Sequence, residues 1–167
     1  MIALPNRDQV AEKLIVKMAD HAVGDKNTLL ATLGLGSCIG IALYDRFAKV
    51  GGLVHIMLPE NPGGKKIVKY ADTGIPYLIE EMEAIGAKKR RLSAKIVGGA
   101  GMFKSESGDS VMKIGARNIV AVKETLKDLG IKILGSDVGK DYGRSMYFYV
   151  NDGRVEIKSF SKDLITL

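Results

Sequence analysis

Residues 27–44 read Asn27-Thr28-Leu29-Leu30-Ala31-Thr32-Leu33-Gly34-Leu35-Gly36-Ser37-Cys38-Ile39-Gly40-Ile41-Ala42-Leu43-Tyr44 and carry no charge. The run reaches the lower length limit of a membrane-spanning helix. Gly34, Gly36 and Gly40, with Thr28, Thr32 and Ser37 among them, suit such a helix badly. They suit two buried strands, Leu29 to Leu35 and Cys38 to Tyr44, joined by a glycine-rich turn at Gly36-Ser37. The N-terminal MIALPNRDQVAEKLIVKMAD has early acidic residues and no long apolar run, so it does not read as a secretory signal. The expectation is a cytoplasmic protein with no membrane insertion.

Outward from this run, further strands are expected at Lys13 to Met18, Val50 to Leu58, Leu92 to Val97, Ile131 to Leu134, Arg144 to Val150 and Arg154 to Phe160. In Val50 to Leu58 the period of two puts Leu53, His55 and Met57 on one face and Val54, Ile56 and Leu58 on the other. Asn151-Asp152-Gly153 is a hairpin signal. Ile75, Leu78, Met82 and Ile85 share one helical face, predicting a helix from Thr73 to Ile85. Asp72 or Thr73 is its expected cap, Pro76 falls in its first turn, and Gly86 ends it. A second helix, Ala116 to Leu129, carries Ile119, Val122, Leu126 and Leu129 on one face, with Gly130 as its stop. Lys104 to Lys113 reads as a mobile surface loop. Many strands, two helices and no regular alternation exclude a doubly wound sheet. The prediction is a single α+β domain over residues 1–167, with mixed or antiparallel sheets packed as a layered sandwich against two main helices.

The chain has 167 residues, 46% hydrophobic and 26% charged, which excludes disorder and suits one globular core. Lys and Arg number 25 against 19 Asp and Glu, a net charge of +6, which points to an acidic partner. With no Trp and only 6% aromatic residues, base-stacking platforms are scarce, and no nucleic-acid partner is expected. A single Cys excludes an internal disulfide, and one Cys with two His falls short of the four Cys/His ligands usual for structural zinc.

Several familiar motifs fail on context. Gly34-x-Gly36-x-x-x-Gly40 is followed by IALYD, too β-like for a phosphate-binding helix. Gly63-Gly64-Lys65-Lys66 lacks the spacing and hydroxyl of a phosphate-binding loop. Ser37 lacks the flanking glycines of a nucleophile elbow. Cys38 remains. A lone Cys is usually a small buried hydrophobe. This one follows a turn whose N–H groups can form an oxyanion hole, and His55 sits in an apolar strand that can run beside it. Imidazole is a suitable base for a thiol, so a depressed thiol pKa is expected from the pair. The bland reading of His55 is a core histidine bonded to a carbonyl. His21, in Ala19-Asp20-His21-Ala22-Val23-Gly24, reads as exposed, near a turn and inert.

Five segments carry a resemblance that runs through nearly the whole chain. They are Thr32 to Cys38 (TLGLGSC), Gly52 to Pro59 (GLVHIMLP), Lys69 to Thr73 (KYADT), Lys95 to Phe103 (KIVGGAGMF) and Ile114 to Asn118 (IGARN). Their content and order resemble the CheD family of bacterial and archaeal chemotaxis proteins. The resemblance implies a cysteine hydrolase, similar in fold to toxin deamidases, that converts chemoreceptor glutamines to glutamate with a Cys-His-Thr triad. The motifs place that triad on Cys38, His55 and Thr32, with Gly36 and Ser37 at the oxyanion turn. Thr32 then orients the imidazole through its hydroxyl or its carbonyl. No metal or organic cofactor is implied. Chemoreceptor cytoplasmic domains and a CheC-type phosphatase are the implied partners. Glutamyl methyl esters are within reach of the same acyl-enzyme chemistry. A competing reading is a regulatory partner of the phosphatase with secondary or no hydrolase activity.

Overall fold

A computed structural model describes residues 10–101 and 110–167, with no side-chain detail at 110–113. In chain order the elements are β1 (Glu12–Ile15), β2 (His21–Gly24), β3 (Thr28–Leu35), β4 (Ile39–Asp45), β5 (Val50–Ile56), α1 (Ala71–Glu83), β6 (Leu92–Gly98), α2 (Ser110–Asp128), β7 (Lys132–Val138), β8 (Arg144–Tyr149), β9 (Arg154–Ser159) and β10 (Lys162–Thr166). They form two five-stranded sheets, one ordered β1-β3-β8-β9-β10 and the other β2-β5-β4-β6-β7. Both are mixed. β1 lies parallel to β3 and β6 parallel to β7, and the remaining pairs are antiparallel. The fold class is α+β, as expected, and among the described residues no helix is long and apolar enough to cross a membrane.

The uncharged run becomes β3 and β4, and these two strands lie in different sheets. Its turn therefore carries the chain across the seam between the sheets. β4 and β5 are covered on both faces, which is why they read as continuous apolar runs rather than as alternation. On one face Leu53 and Ala42 meet Leu30, Leu35, Met146 and Phe148 of the first sheet. On the other, Ile41, Leu43, Val54 and Ile56 meet Ile75, Leu78 and Met82 of α1 and Val122 and Leu126 of α2. The layers are thus sheet, sheet and helix pair, with α2 making the crossover between parallel β6 and β7.

Gly51 and Gly52 of β5 show how close the layers are. A methyl on Gly51 would lie 2.7 Å from Val150, and one on Gly52 would lie 2.8 Å from the Met82 sulfur.

Four local expectations need correction. α1 starts at Ala71, and neither Asp72 nor Thr73 caps it. Their side chains serve the preceding loop instead: Asp72 accepts from the Asn61 N–H at 2.9 Å, and Thr73 donates to the Ile67 carbonyl at 2.6 Å. Pro76 sits in the second turn and forgoes one helical bond. α2 starts at Ser110, so residues 110–113 of the expected loop are helical, while 104–109 fall outside the described residues. Gly115 lies inside α2: a methyl there would lie 2.5 Å from the Ala100 carbonyl, and its absence lets the helix press onto that turn. β2 and β10 add two short strands beyond those expected, and β7 runs on to Val138.

Candidate active site

The structure brings Thr32, Cys38 and His55 to the layer between the sheets. Thr32 is on β3, fully buried. His55 pairs in register with Gly40 of β4, so the two share a face. Cys38 precedes Gly40 by two residues and packs against the same intersheet cluster. Cys38 sits in the bend just before β4, and its side chain faces the same intersheet layer as His55.

Hydrogen bonds fix the imidazole. The Thr32 hydroxyl donates its proton to the Val16 carbonyl at 2.7 Å. Its oxygen lies 2.7 Å from His55 Nδ1. Because the hydroxyl's only proton is committed to Val16, Nδ1 must carry the hydrogen that joins them. That leaves the lone pair on Nε2, which is buried and has no partner among the described residues. The contact between Thr32 and the ring runs through the Thr32 hydroxyl.

Burial dominates the titration of both groups. It lowers the His55 pKa from 6.5 to about 4. It also raises the Cys38 thiol above its ordinary 9.0, against a smaller opposing effect of the residue's own backbone N–H. The expected depressed thiol is therefore corrected. At neutral pH both the thiol and the imidazole are therefore neutral.

The turn before Cys38 is held by its carbonyls. Gly36 accepts from the Ala100 N–H at 2.9 Å and Cys38 from the Gly99 N–H at 2.9 Å. Ser37 accepts from the side-chain amide of Asn118 at 2.9 Å. In a trans peptide the N–H points opposite to the carbonyl. The Ser37 and Cys38 N–H groups are thus turned away from these anchors, and among the described residues neither has a backbone acceptor. Gly98 (φ +117°) adopts a conformation that disfavours side chains, and its Cα lies where a methyl would strike the Cys38 carbonyl.

His21 is corrected in place. It lies in β2, half-buried, with its ring edge-on to Tyr77 at 5.0 Å. It pairs with Val54, which faces the helices, whereas His55 faces the first sheet. The two histidines occupy opposite faces of one sheet. Asn118 was missed as a site residue. Its signal was legible: counted in fours, 118, 122 and 126 form one stripe on α2, and Asn118 is the polar member of it.

A family model described as CheD chemotactic sensory transduction matches residues 57–159. The chain belongs to the CheD family. A protein of Caldanaerobacter subterraneus subsp. tengcongensis, named probable chemoreceptor glutamine deamidase CheD, is 51% identical over 149 residues, covering 87% of this chain and 92% of that one. A CheD protein of Clostridium botulinum strain Hall, with the same name, is 48% identical over 151 residues, covering 89% and 93%. A solved Neisseria meningitidis structure of the family model DUF152 is similar with a TM-score of 0.48 at 12% identity, over 83% of this chain and 70% of that one.

Proposed function

We propose that this CheD-family chain hydrolyses glutamine side chains on the cytoplasmic helices of chemoreceptors to glutamate, with Cys38 as nucleophile. The observation that carries the reading is the buried, unpartnered Nε2 of His55 on the intersheet face that Cys38 shares. Nε2 takes the thiol proton as sulfur attacks the glutamine carbonyl carbon. Because both groups are neutral at rest, proton transfer accompanies attack rather than preceding it. The acyl oxygen becomes an oxyanion facing the Ser37 and Cys38 N–H groups. Collapse breaks the C–N bond, and the imidazolium returns its proton to the departing ammonia. A thioester remains. Water, deprotonated by Nε2, then attacks it, which frees glutamate and restores the thiol. Thr32 and Val16 hold the ring in the required tautomer throughout.

The net charge of +6 suits an acidic, glutamate-rich receptor helix. A CheC-type phosphatase as partner and a cytoplasmic location follow from the same reading. The test is mass spectrometry of a chemoreceptor cytoplasmic fragment incubated with the protein. The expected result is a mass gain, at specific glutamines, equal to replacing NH2 by OH. The gain is absent with Cys38→Ala. Conversion by Cys38→Ala at a rate within about tenfold of the parent overturns the reading.

A further inference from the structure

We infer that Asn118 is a positioning residue for the oxyanion hole, an inference that rests on the hydrolase reading above. Asn118 is fully buried on α2. Its side-chain nitrogen donates to the Ser37 carbonyl at 2.9 Å and to the Met57 carbonyl at 3.0 Å. Both acceptors are carbonyls, so the amide orientation is fixed and both of its protons are used. Ser37 immediately precedes the nucleophile, and Met57 lies two residues beyond the base. One planar group on the helix layer therefore ties the Cys38 turn to the end of the His55 strand. Thr32 reaches His55 from the opposite sheet.

The bond to Ser37 differs from its neighbours. The Gly36 and Cys38 carbonyls are held by main-chain N–H groups of Ala100 and Gly99. Among the described residues, the Ser37 carbonyl is held by a side chain. The Ser37–Cys38 peptide is rigid, so fixing its carbonyl fixes the Cys38 N–H on the far side. That N–H is the donor adjacent to the sulfur and faces the acyl oxygen. Without Asn118 the peptide can rotate, and the buried carbonyl can turn toward the space that the oxyanion needs. The approach of α2 that makes the bond possible depends on Gly115, one turn earlier, against Ala100. The Asn118 oxygen is buried and unpartnered among the described residues, so the residue is kept for its two donated bonds and not for a fully satisfied amide.

A structural role and an oxyanion role separate on two reactions of the same thiol. Alkylation by iodoacetamide is a displacement at carbon and develops no oxyanion, whereas deamidation of a receptor fragment does. For Asn118→Ala the expected result is a kcat for deamidation about a hundredfold below the parent, with KM and the Cys38 alkylation rate at pH 8.5 (the assay pH, on the order of the thiol's ordinary range) changed by less than about threefold. Asn118→Asp keeps the volume of the side chain and supplies at most one proton for two carbonyls. It is expected to lose at least about tenfold in kcat and keeps the test valid should the alanine variant not fold. Equal losses in alkylation and deamidation overturn the inference, as does a kcat within about threefold of the parent in either folded variant. Either outcome leaves the hydrolase reading standing. Retained deamidation by Cys38→Ala, measured alongside, instead removes the reading on which the inference rests.

Discussion

Thr32 has one hydroxyl proton and two claims on its oxygen, and the geometry divides them: the proton goes to Val16 and a lone pair to His55. Thr32→Val keeps the shape and removes both bonds, so the ring loses its preferred tautomer. The expected outcome is a fall in kcat of about tenfold or more, with far-UV circular dichroism unchanged. Thr32→Ser restores most of that rate. His55→Ala is expected to lower the rate by at least about a hundredfold, the lower end of general-base contributions. His21→Ala, on the other face of the sheet, changes it by less than about threefold. The depressed imidazole sets the pH profile. A base must be neutral to act, and a pKa of about 4 instead of 6.5 keeps it neutral far into the acid range. The acid limb of kcat/KM is therefore expected near pH 4, with no loss as pH falls through 6.5. A limb centred on 6.5 in a pH series would show a solvated imidazole. Stability carries the opposite sign to a salt-bridged histidine. The unfolded imidazole binds a proton below 6.5 while the folded one does not, so stability is full above 6.5 and declines toward pH 4.

At the scale of elements, β5 is the most tightly enclosed strand, with α1 on one face and the first sheet on the other. Gly52→Ala places a methyl against Met82 and Leu78 of α1, and the helix must shift or its side chains must leave their rotamers. The expected cost is about 1–3 kcal/mol, read from urea denaturation. Asp45→Asn at the β4–β5 hairpin tests an electrostatic joint. Burial raises this carboxyl, but Arg91 and the N–H groups of Ala48, Lys88 and Phe47 outweigh it and hold the pKa below 3.8. Its stabilisation is present above 3.8 and fades as pH falls below it, so Asp45→Asn and the parent should converge in stability in acid. The sequence showed such elements unevenly. β4 and β5 were legible because long apolar runs bounded by turn residues have few other outcomes, and Asn151-Asp152-Gly153 announced the β8–β9 hairpin through its turn chemistry. β2 was not, because His21 to Gly24 is too short to show a period and is a strand only through its pairing with β5. Cys38 and His55 stood out as candidate chemistry, whereas Thr32 entered only through the family resemblance. The surroundings of these residues were not legible, since neither Val16 nor Asn118 is close to Cys38 in sequence, and burial reversed the expected shift of the thiol.

Across the whole molecule, the two sheets are joined by a buried cation. Arg144 is on β8 of the first sheet, and its guanidinium donates to the carbonyls of Gly98 at 3.0 Å and Asp137 at 2.6 Å, and to that of Gly139. Its Nε lies 3.6 Å from the Asp137 carboxylate. β6 and β7, which supply Gly98 and Asp137, belong to the second sheet. Arg144→Leu strips the guanidinium from these carbonyls, of which Gly98 keeps the Gly139 N–H, and leaves the carboxylate with Lys140 alone at 3.3 Å; a loss of about 3–5 kcal/mol is expected in urea denaturation. Adding Asp137→Asn should recover part of it. Gly98 lies against the Cys38 carbonyl, so the same substitution is expected to slow deamidation as well. The crossing of the uncharged run from one sheet to the other has a consequence for the life of the chain before it is complete. Proteins leave the ribosome from the N-terminus, at about 5–20 residues per second. A nascent chain that has emerged through Gly101 already holds its thiol and its imidazole. It does not yet hold Asn118, which binds Ser37 from 81 residues away, nor β8, on which the sheet bearing Thr32 is built. Such a chain has the reactive atoms without the enclosure that aims them, and deamidation is expected only once β8 has emerged and both sheets can close.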